Sequence, residues 1–284
     1  MPRISPVIFA LTLGLLLLRP ATADEASAHY HQGLALKRQG DISAAIAEMK
    51  LAIAARGDYA AAWFTLGNLY RGQGDFAEAL AAYQRCVALQ PASADARANL
   101  GAAYLRLQRV GEAIKELVTA VSLDGENYDA HSNLGLAYRQ QGDYPKAIIH
   151  LRRATAIKPD EALAWSNLGV ALSKSGDKDG AVVALEKAVA IEPKNGQTRF
   201  NLAVVYRQMK RSDDAIASYQ EAVKLDPRQA GAYYDMGLLY VQDHRYGEAL
   251  AAFKKYLALG EGDPASLHEA QERVRSLEAA AGKK

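Results

Sequence analysis

The chain has a single cysteine, Cys86, in 284 residues, so it can form no internal disulfide. It also lacks charge of one sign. There are 34 Lys and Arg against 32 Asp and Glu, mixed along the chain, and this gives no electrostatic reason to expect nucleic acid or an anionic membrane as partner. The six histidines, at 29, 31, 131, 150, 244 and 268, include no i, i+4 pair and no His-Glu-x-x-His, so no metal site is expected. No serine stands in a Gly-x-Ser-x-Gly turn. Gly72-Gln73-Gly74 falls at a helix junction, not after a strand, so no phosphate-cradling loop is expected. Paired carboxylates such as Asp213-Asp214 stand at a helix start, where the dipole favours them. These absences argue against an enzyme, and no cofactor is expected.

Long apolar runs are missing too, with one exception. Arg3, the run Val7 to Leu18 and the small-x-small triplet Ala21-Thr22-Ala23 read as a secretory signal peptide over residues 1–23. The rival reading is a retained membrane anchor, but the run falls short of the ~20 residues that a helix needs to cross a bilayer. Export to the periplasm or beyond is the expectation, with no membrane segment left after cleavage. Losing Arg3 and Arg19 with the leader would leave 32 basic side chains facing 32 acidic ones.

What the chain does have is a period. Gly33, Gly67, Gly101, Gly135 and Gly169 recur every 34 residues, and after Ala203 the series resumes at Gly237. Seven units follow, 26–59, 60–93, 94–127, 128–161, 162–195, 196–229 and 230–263. Each is too small to bury an apolar face alone, so neighbours must stack. Positions 4, 7, 8 and 11 form one helical stripe, as in Trp165, Leu168, Gly169 and Leu172. Positions 20, 24 and 27 form a second, as in Ala147, Leu151 and Ala154. Gly-Asp pairs at 40–41, 74–75, 142–143 and 176–177 predict a left-handed helix end followed by an N-cap. In units three, six and seven these become Gln108-Arg109, Lys210-Arg211 and His244-Arg245, which need some other cap. Pro91, Pro159, Pro193 and Pro227 predict the end of the second helix. Asp263-Pro264 predicts the start of a last helix, whose Leu267, Ala270, Val274 and Leu277 stripe would cover the open end over 264–284. Lys283 and Lys284 are expected to fray.

In the second unit Trp63, Leu66, Gly67, Tyr70, Ala79, Tyr83, Cys86 and Pro91 fall at positions 4, 7, 8, 11, 20, 24, 27 and 32. This pattern resembles the tetratricopeptide repeat family. The resemblance implies an all-α, right-handed superhelical solenoid of seven helix-turn-helix repeats plus a capping helix. It also places positions 2, 5, 6, 9, 12 and 13 of the first helices on an inner, ligand-facing groove. Position 6 reads His31, Thr65, Asn99, Asn133, Asn167, Asn201 and Asp235. The four asparagines make one rung per repeat, each able to pair with a peptide C=O and N–H, and resemble the asparagine ladder in the repeat domain of O-linked N-acetylglucosamine transferase. Candidate aromatic anchors at position 5 are Tyr30, Phe64, Phe200 and Tyr234. Candidate cations are Lys37, Arg71, Arg139 and Arg207 at position 12, with Arg38, Arg106 and Lys174 at 13. The carboxylate clamp of some family members is not implied: Asn68 and Asn99 fit it, but Phe64, Asp129 and Asn133 stand where it needs bases.

The resulting expectation is a non-enzymatic adaptor of the bacterial cell envelope that holds an extended or acidic peptide, or a partner protein, in its groove. The alternatives are a self-associating scaffold, and an accessory factor for polysaccharide export, glycosyl transfer, pilus or secretion assembly.

Overall fold

The structure, a computed structural model, describes residues 23–281. The signal-peptide reading lies outside this range except for Ala23, the first residue of the first helix, and the expected fraying at Lys283 and Lys284 lies outside it too. All regular structure among the described residues is helical. The helices divide into two compact units, one ending at Pro91 and the other beginning at Ala92.

The first unit holds α1 (Ala23–Gln39), α2 (Ile42–Ala55), α3 (Ala60–Gln73) and α4 (Phe76–Leu89). The second holds α5 (Ala94–Arg106), α6 (Val110–Leu123), α7 (Tyr128–Gln141), α8 (Tyr144–Ile157), α9 (Ala162–Ser175), α10 (Lys178–Ile191), α11 (Gly196–Gln208), α12 (Ser212–Leu225), α13 (Ala230–Gln242), α14 (Tyr246–Leu259) and α15 (Pro264–Ala281). From α3 on, every odd-numbered helix up to α13 begins on the first residue of a 34-residue period.

One steric pairing explains that period. A Cβ added to the position-8 glycine would meet the position-24 side chain of the same repeat: Met49 at 2.6 Å from Gly33, Tyr83 at 2.6 Å from Gly67, Leu117 at 2.5 Å from Gly101, Leu151 at 2.5 Å from Gly135, Leu185 at 2.5 Å from Gly169 and Phe253 at 2.7 Å from Gly237. Each position-24 residue is fully buried. The two helices of a hairpin therefore cross with a large side chain lying over a bare backbone, which close packing demands. Ala203 and Tyr219 fill the same places in the sixth repeat.

The turns between paired helices come in two forms. Gly40, Gly74, Gly142 and Gly176 adopt φ of 84°, 88°, 83° and 99°. Asp41, Asp143 and Asp177 then accept from the amides of Ala44, Lys146 and Gly180. Asp75 departs from expectation and makes no side-chain cap bond. In the other form Gln108, Lys210 and His244 take the left-handed conformation without being glycine, at φ of 60°, 59° and 57°. The arginine that follows replaces the aspartate by a different device. Arg109, Arg211 and Arg245 pair with Glu112, Asp214 and Glu248 in the first turn of the next helix. Their guanidinium groups also lie 4.7, 4.4 and 4.5 Å from the ring centres of Tyr104, Tyr206 and Tyr240.

Successive repeats are tied by a bond from position 4. Trp63 Nε1 donates to the Gly57 carbonyl at 2.9 Å, Trp165 Nε1 to Pro159 at 2.8 Å and Arg199 Nε to Pro193 at 3.1 Å. In these repeats position 4 supplies a side-chain N–H as well as bulk. At the C-terminus Asp263 caps α15 by accepting from the amides of Ala265 and Ser266. Ala270 is fully buried there, and Leu267, Val274 and Leu277 pack on the Phe253–Tyr256 end of the core. Cys86 is 2 % exposed, and burial pushes its thiol pKa up, away from reactivity.

Candidate functional site

The candidate groove residues lie on the first helices, and their side chains differ in how far they are already engaged. In the first unit Thr65 is buried on α3. The Phe64 ring packs on Tyr83, whose hydroxyl donates to Asn68 at 2.8 Å. Arg71 also bonds the Tyr83 hydroxyl, but burial dominates and pushes that phenol up to about 12. Phe64, Asn68 and Arg71 thus gather on one buried tyrosine.

In the second unit the end rungs of the asparagine ladder are partly used. Asn99 Nδ2 donates to the Asp95 carbonyl of its own helix at 2.9 Å, and Asn201 Oδ1 accepts from Gln197 at 3.1 Å. Asp235, the seventh position-6 residue, is already engaged: its Oδ2 accepts from Tyr219 at 2.6 Å and lies 3.4 Å from Arg207 Nε. Arg207 and Asp235 therefore neutralise one another, which removes both from the set of free groove charges. Phe200 lies on the Tyr219 ring. Tyr234 contacts Phe253 and Tyr256, and its hydroxyl donates to Glu269 on α15 at 2.7 Å. The C-terminal helix takes up the face that Tyr234 would otherwise present.

The middle rungs are different. Among the described residues the amides of Asn133 on α7 and Asn167 on α9 make no side-chain hydrogen bond, and Asn167 is only 9 % exposed. Arg139, also on α7, is half-buried. Its Nε is shut off from solvent without a hydrogen-bond partner, and burial pulls its pKa below the usual guanidinium value. No carboxylate among the described residues pairs with it. Beside these polar groups stand apolar side chains that the search for aromatics and cations passed over: Leu136 and Val170 at position 9, half-buried, and Leu163 at position 2, 65 % exposed. The signal was present in the sequence as apolar residues at two groove positions of adjacent repeats.

A second polar cluster lies on the same repeat. His131 Nδ1 is 3.2 Å from His150 Nδ1, and His131 Nε2 is 3.1 Å from the Gly125 carbonyl. His131 stands at position 4 and makes the bond that tryptophan makes in repeats two and five. A carbonyl only accepts, so His131 carries its proton on Nε2 and its Nδ1 accepts from His150. A search for i, i+4 spacing misses this pair because it spans a helix hairpin. Among the described residues, no three His, Cys, Asp or Glu side chains gather where they could hold a metal, and no helix is long and apolar enough to cross a membrane.

Comparison with known proteins places this geometry. A family model described as TPR repeat matches residues 67–108, 135–176 and 205–243. Three described as tetratricopeptide repeat match 162–195, 184–217, and 26–59 with 94–127. No curated protein matches the chain in sequence. Among solved structures, MamA is 28% identical over 62% of this chain and 96% of its own, with a TM-score of 0.55. A tetratricopeptide repeat protein from Parabacteroides merdae shares the fold at 18% identity, covering 90% of this chain and 99% of its own with a TM-score of 0.64. YrrB, described as a TPR protein with an unusual peptide-binding site, shares it at 20% identity, covering 69% and 97% with a TM-score of 0.55. Helix pairs repeating every 34 residues, the glycine-to-large-residue crossing and these matches agree: the chain belongs to the tetratricopeptide repeat family.

Proposed function

We propose that this protein is a non-catalytic interaction scaffold that holds an extended peptide segment of a partner across repeats four and five. The observation that supports the reading is the pair of unengaged amides at Asn133 and Asn167, flanked by Leu136, Leu163 and Val170. A primary amide offers one acceptor and two donors, so each rung can bond a peptide unit in both senses without reading its side chains. The apolar neighbours add contact area for alternate side chains. At about 0.5–1.5 kcal/mol per hydrogen bond, two bidentate rungs supply roughly 2–6 kcal/mol, so a micromolar affinity also needs the apolar contacts. Nothing in this arrangement supplies a nucleophile or a general base, which suits an adaptor. The apolar run from Val7 to Leu18 supports an exported protein acting in the bacterial cell envelope. N-terminal sequencing of the protein recovered from its producing cell would reveal a mature start at Asp24 if that is so.

The binding claim is tested with peptides selected by display on residues 24–284. Fluorescence anisotropy of a selected peptide should show Asn133→Ala plus Asn167→Ala weakening binding by roughly 30-fold, two lost rungs at about 1 kcal/mol each. Unchanged affinity in a variant that keeps its helical content would reject the ladder as the contact.

A further inference from the structure

The four repeats that begin at α7, α9, α11 and α13 contain an internal comparison. Arg207, at position 12 of repeat six, has Asp235 one repeat on at position 6, with its carboxylate 3.4 Å from Nε. Arg139, at position 12 of repeat four, has Asn167 at the same step along the chain. The two arginines share one register. In both, Nε is closed to solvent and has no hydrogen bond. They differ in what stands at position 6 one repeat on, a carboxylate for one and a neutral amide for the other, and at position 24 of their own repeat, Tyr219 for Arg207 and Leu151 for Arg139. The consequences diverge accordingly: burial works against the Arg207 charge but Asp235 and Tyr219 more than offset it, while for Arg139 burial prevails. A half-buried guanidinium with no counter-charge is costly to maintain, and each such group in a folded protein calls for a compensating partner.

We propose that Arg139 and Asn167 form a carboxylate-binding seat, filled by an acidic side chain or the terminal carboxylate of the bound peptide. Where repeats six and seven supply their own anion through Asp235, repeats four and five take it from the ligand. With Nε closed off, Arg139 offers its two terminal NH2 groups to two carboxylate oxygens, and the Asn167 amide one repeat on offers a third donor. Exposed Leu163 at the N-terminal end of α9 gives the adjoining ligand residue an apolar contact. This inference gives the ligand of the proposed function its chemical class, and rests on that reading only for the peptide attached to the carboxylate.

The probe is sodium acetate, replacing chloride at constant ionic strength, followed through the arginine Nε–H resonances in a ¹⁵N-correlated spectrum. Arg139→Lys identifies the Arg139 signal by its loss. That signal should shift along a saturating curve, while those of Arg207 and of Arg228, which is 80 % exposed in its side chain, stay still or drift linearly. Asn167→Asp, which supplies the internal anion, should weaken the acetate response at least tenfold. Asp235→Asn should do the reverse and make Arg207 responsive. A linear drift of Arg139 matching that of Arg228 overturns the seat, and it needs no variant beyond the conservative Arg139→Lys used to assign the signal. Two peptides then separate the sources: acetyl-tetraglycine with a free carboxylate, and acetyl-Gly-Glu-Gly-Gly-amide. Tighter binding than acetate by either one supports the proposal and names the source. Saturation by acetate with no response to either peptide overturns the peptide carboxylate. The acetate result is independent of the ladder, so a selected peptide indifferent to the double alanine variant would sink that reading and leave this one standing.

Discussion

At His131 the neighbouring groups decide both the tautomer and the pH response. Burial lowers the pKa of His131 and of His150, and for His150 the charge of His131 adds to the effect. Asp124 and the Gly125 carbonyl pull His131 the other way without overcoming burial, and Tyr138 stacks on the His150 ring. Both histidines therefore bind protons more readily in the unfolded chain than in the fold. Stability then falls as pH drops through the ordinary histidine value of 6.5 and keeps falling until the lower folded-state values are passed. Urea unfolding at pH 7.5 and pH 5 should show this loss, and His131→Gln with His150→Gln should remove most of the difference. An equal loss in the double variant would assign it elsewhere. Residue-scale crowding gives a second expectation. Gly135→Ala places a methyl 2.5 Å from Leu151 Cγ and 3.3 Å from the Ala147 carbonyl. It should cost about 1–3 kcal/mol by the same assay, although Ala203 is accommodated against Tyr219 in repeat six.

Among the elements, the turns show most clearly what could be read from sequence and what could not. The Gly-Asp pairs predict left-handed helix ends followed by N-caps, and three of the four behave so; Asp75 keeps the place without the bond. The Gln-Arg, Lys-Arg and His-Arg turns were legible only as exceptions. Their solution needs three residues from two helices, a tyrosine at position 11, the arginine and an acid three residues later, and such a set becomes visible only once the hairpin has closed. A non-glycine residue in the left-handed region costs roughly 1–2 kcal/mol. Gln108→Gly should therefore stabilise the protein by about 0.5–1 kcal/mol after allowing for the greater freedom of glycine in the unfolded chain, measured as a raised urea midpoint. Position 4 is legible as part of a helical stripe but not as a donor: in repeats two, four, five and six its side-chain N–H reaches back to the preceding loop. Trp165→Phe, which keeps the ring, should still lose about 1 kcal/mol.

For the molecule as a whole, the period alone carries the fold, because each hairpin's steric pairing repeats in register and packing follows from it. The candidate site was less legible. Ladder and cations could be placed by position, but position says nothing of which are already satisfied. Asp235, Arg207, Tyr234 and Asn68 have protein partners, while Asn133, Asn167 and Arg139 do not. The C-terminal helix bears on stability at this scale. A chain ending at Asp263 would uncover Tyr234, Phe253 and Tyr256 and lose the half-buried Leu267, Val274 and Leu277. It should lose about 3 kcal/mol in the last repeat and bind an apolar dye; a truncated chain with an unchanged unfolding midpoint would show that α15 is dispensable.

Because each bare glycine and the bulky residue over it belong to one hairpin, their separation along the chain never depends on how many hairpins precede or follow. Unequal recombination that adds or deletes a full period leaves a small residue facing a large one in every hairpin wherever its breakpoints fall, whereas another length cut within a hairpin would break the match. The lineage of this chain can thus lengthen or shorten its reach by whole steps while its crossings stay intact, and a new step would arrive with its own rung already in place.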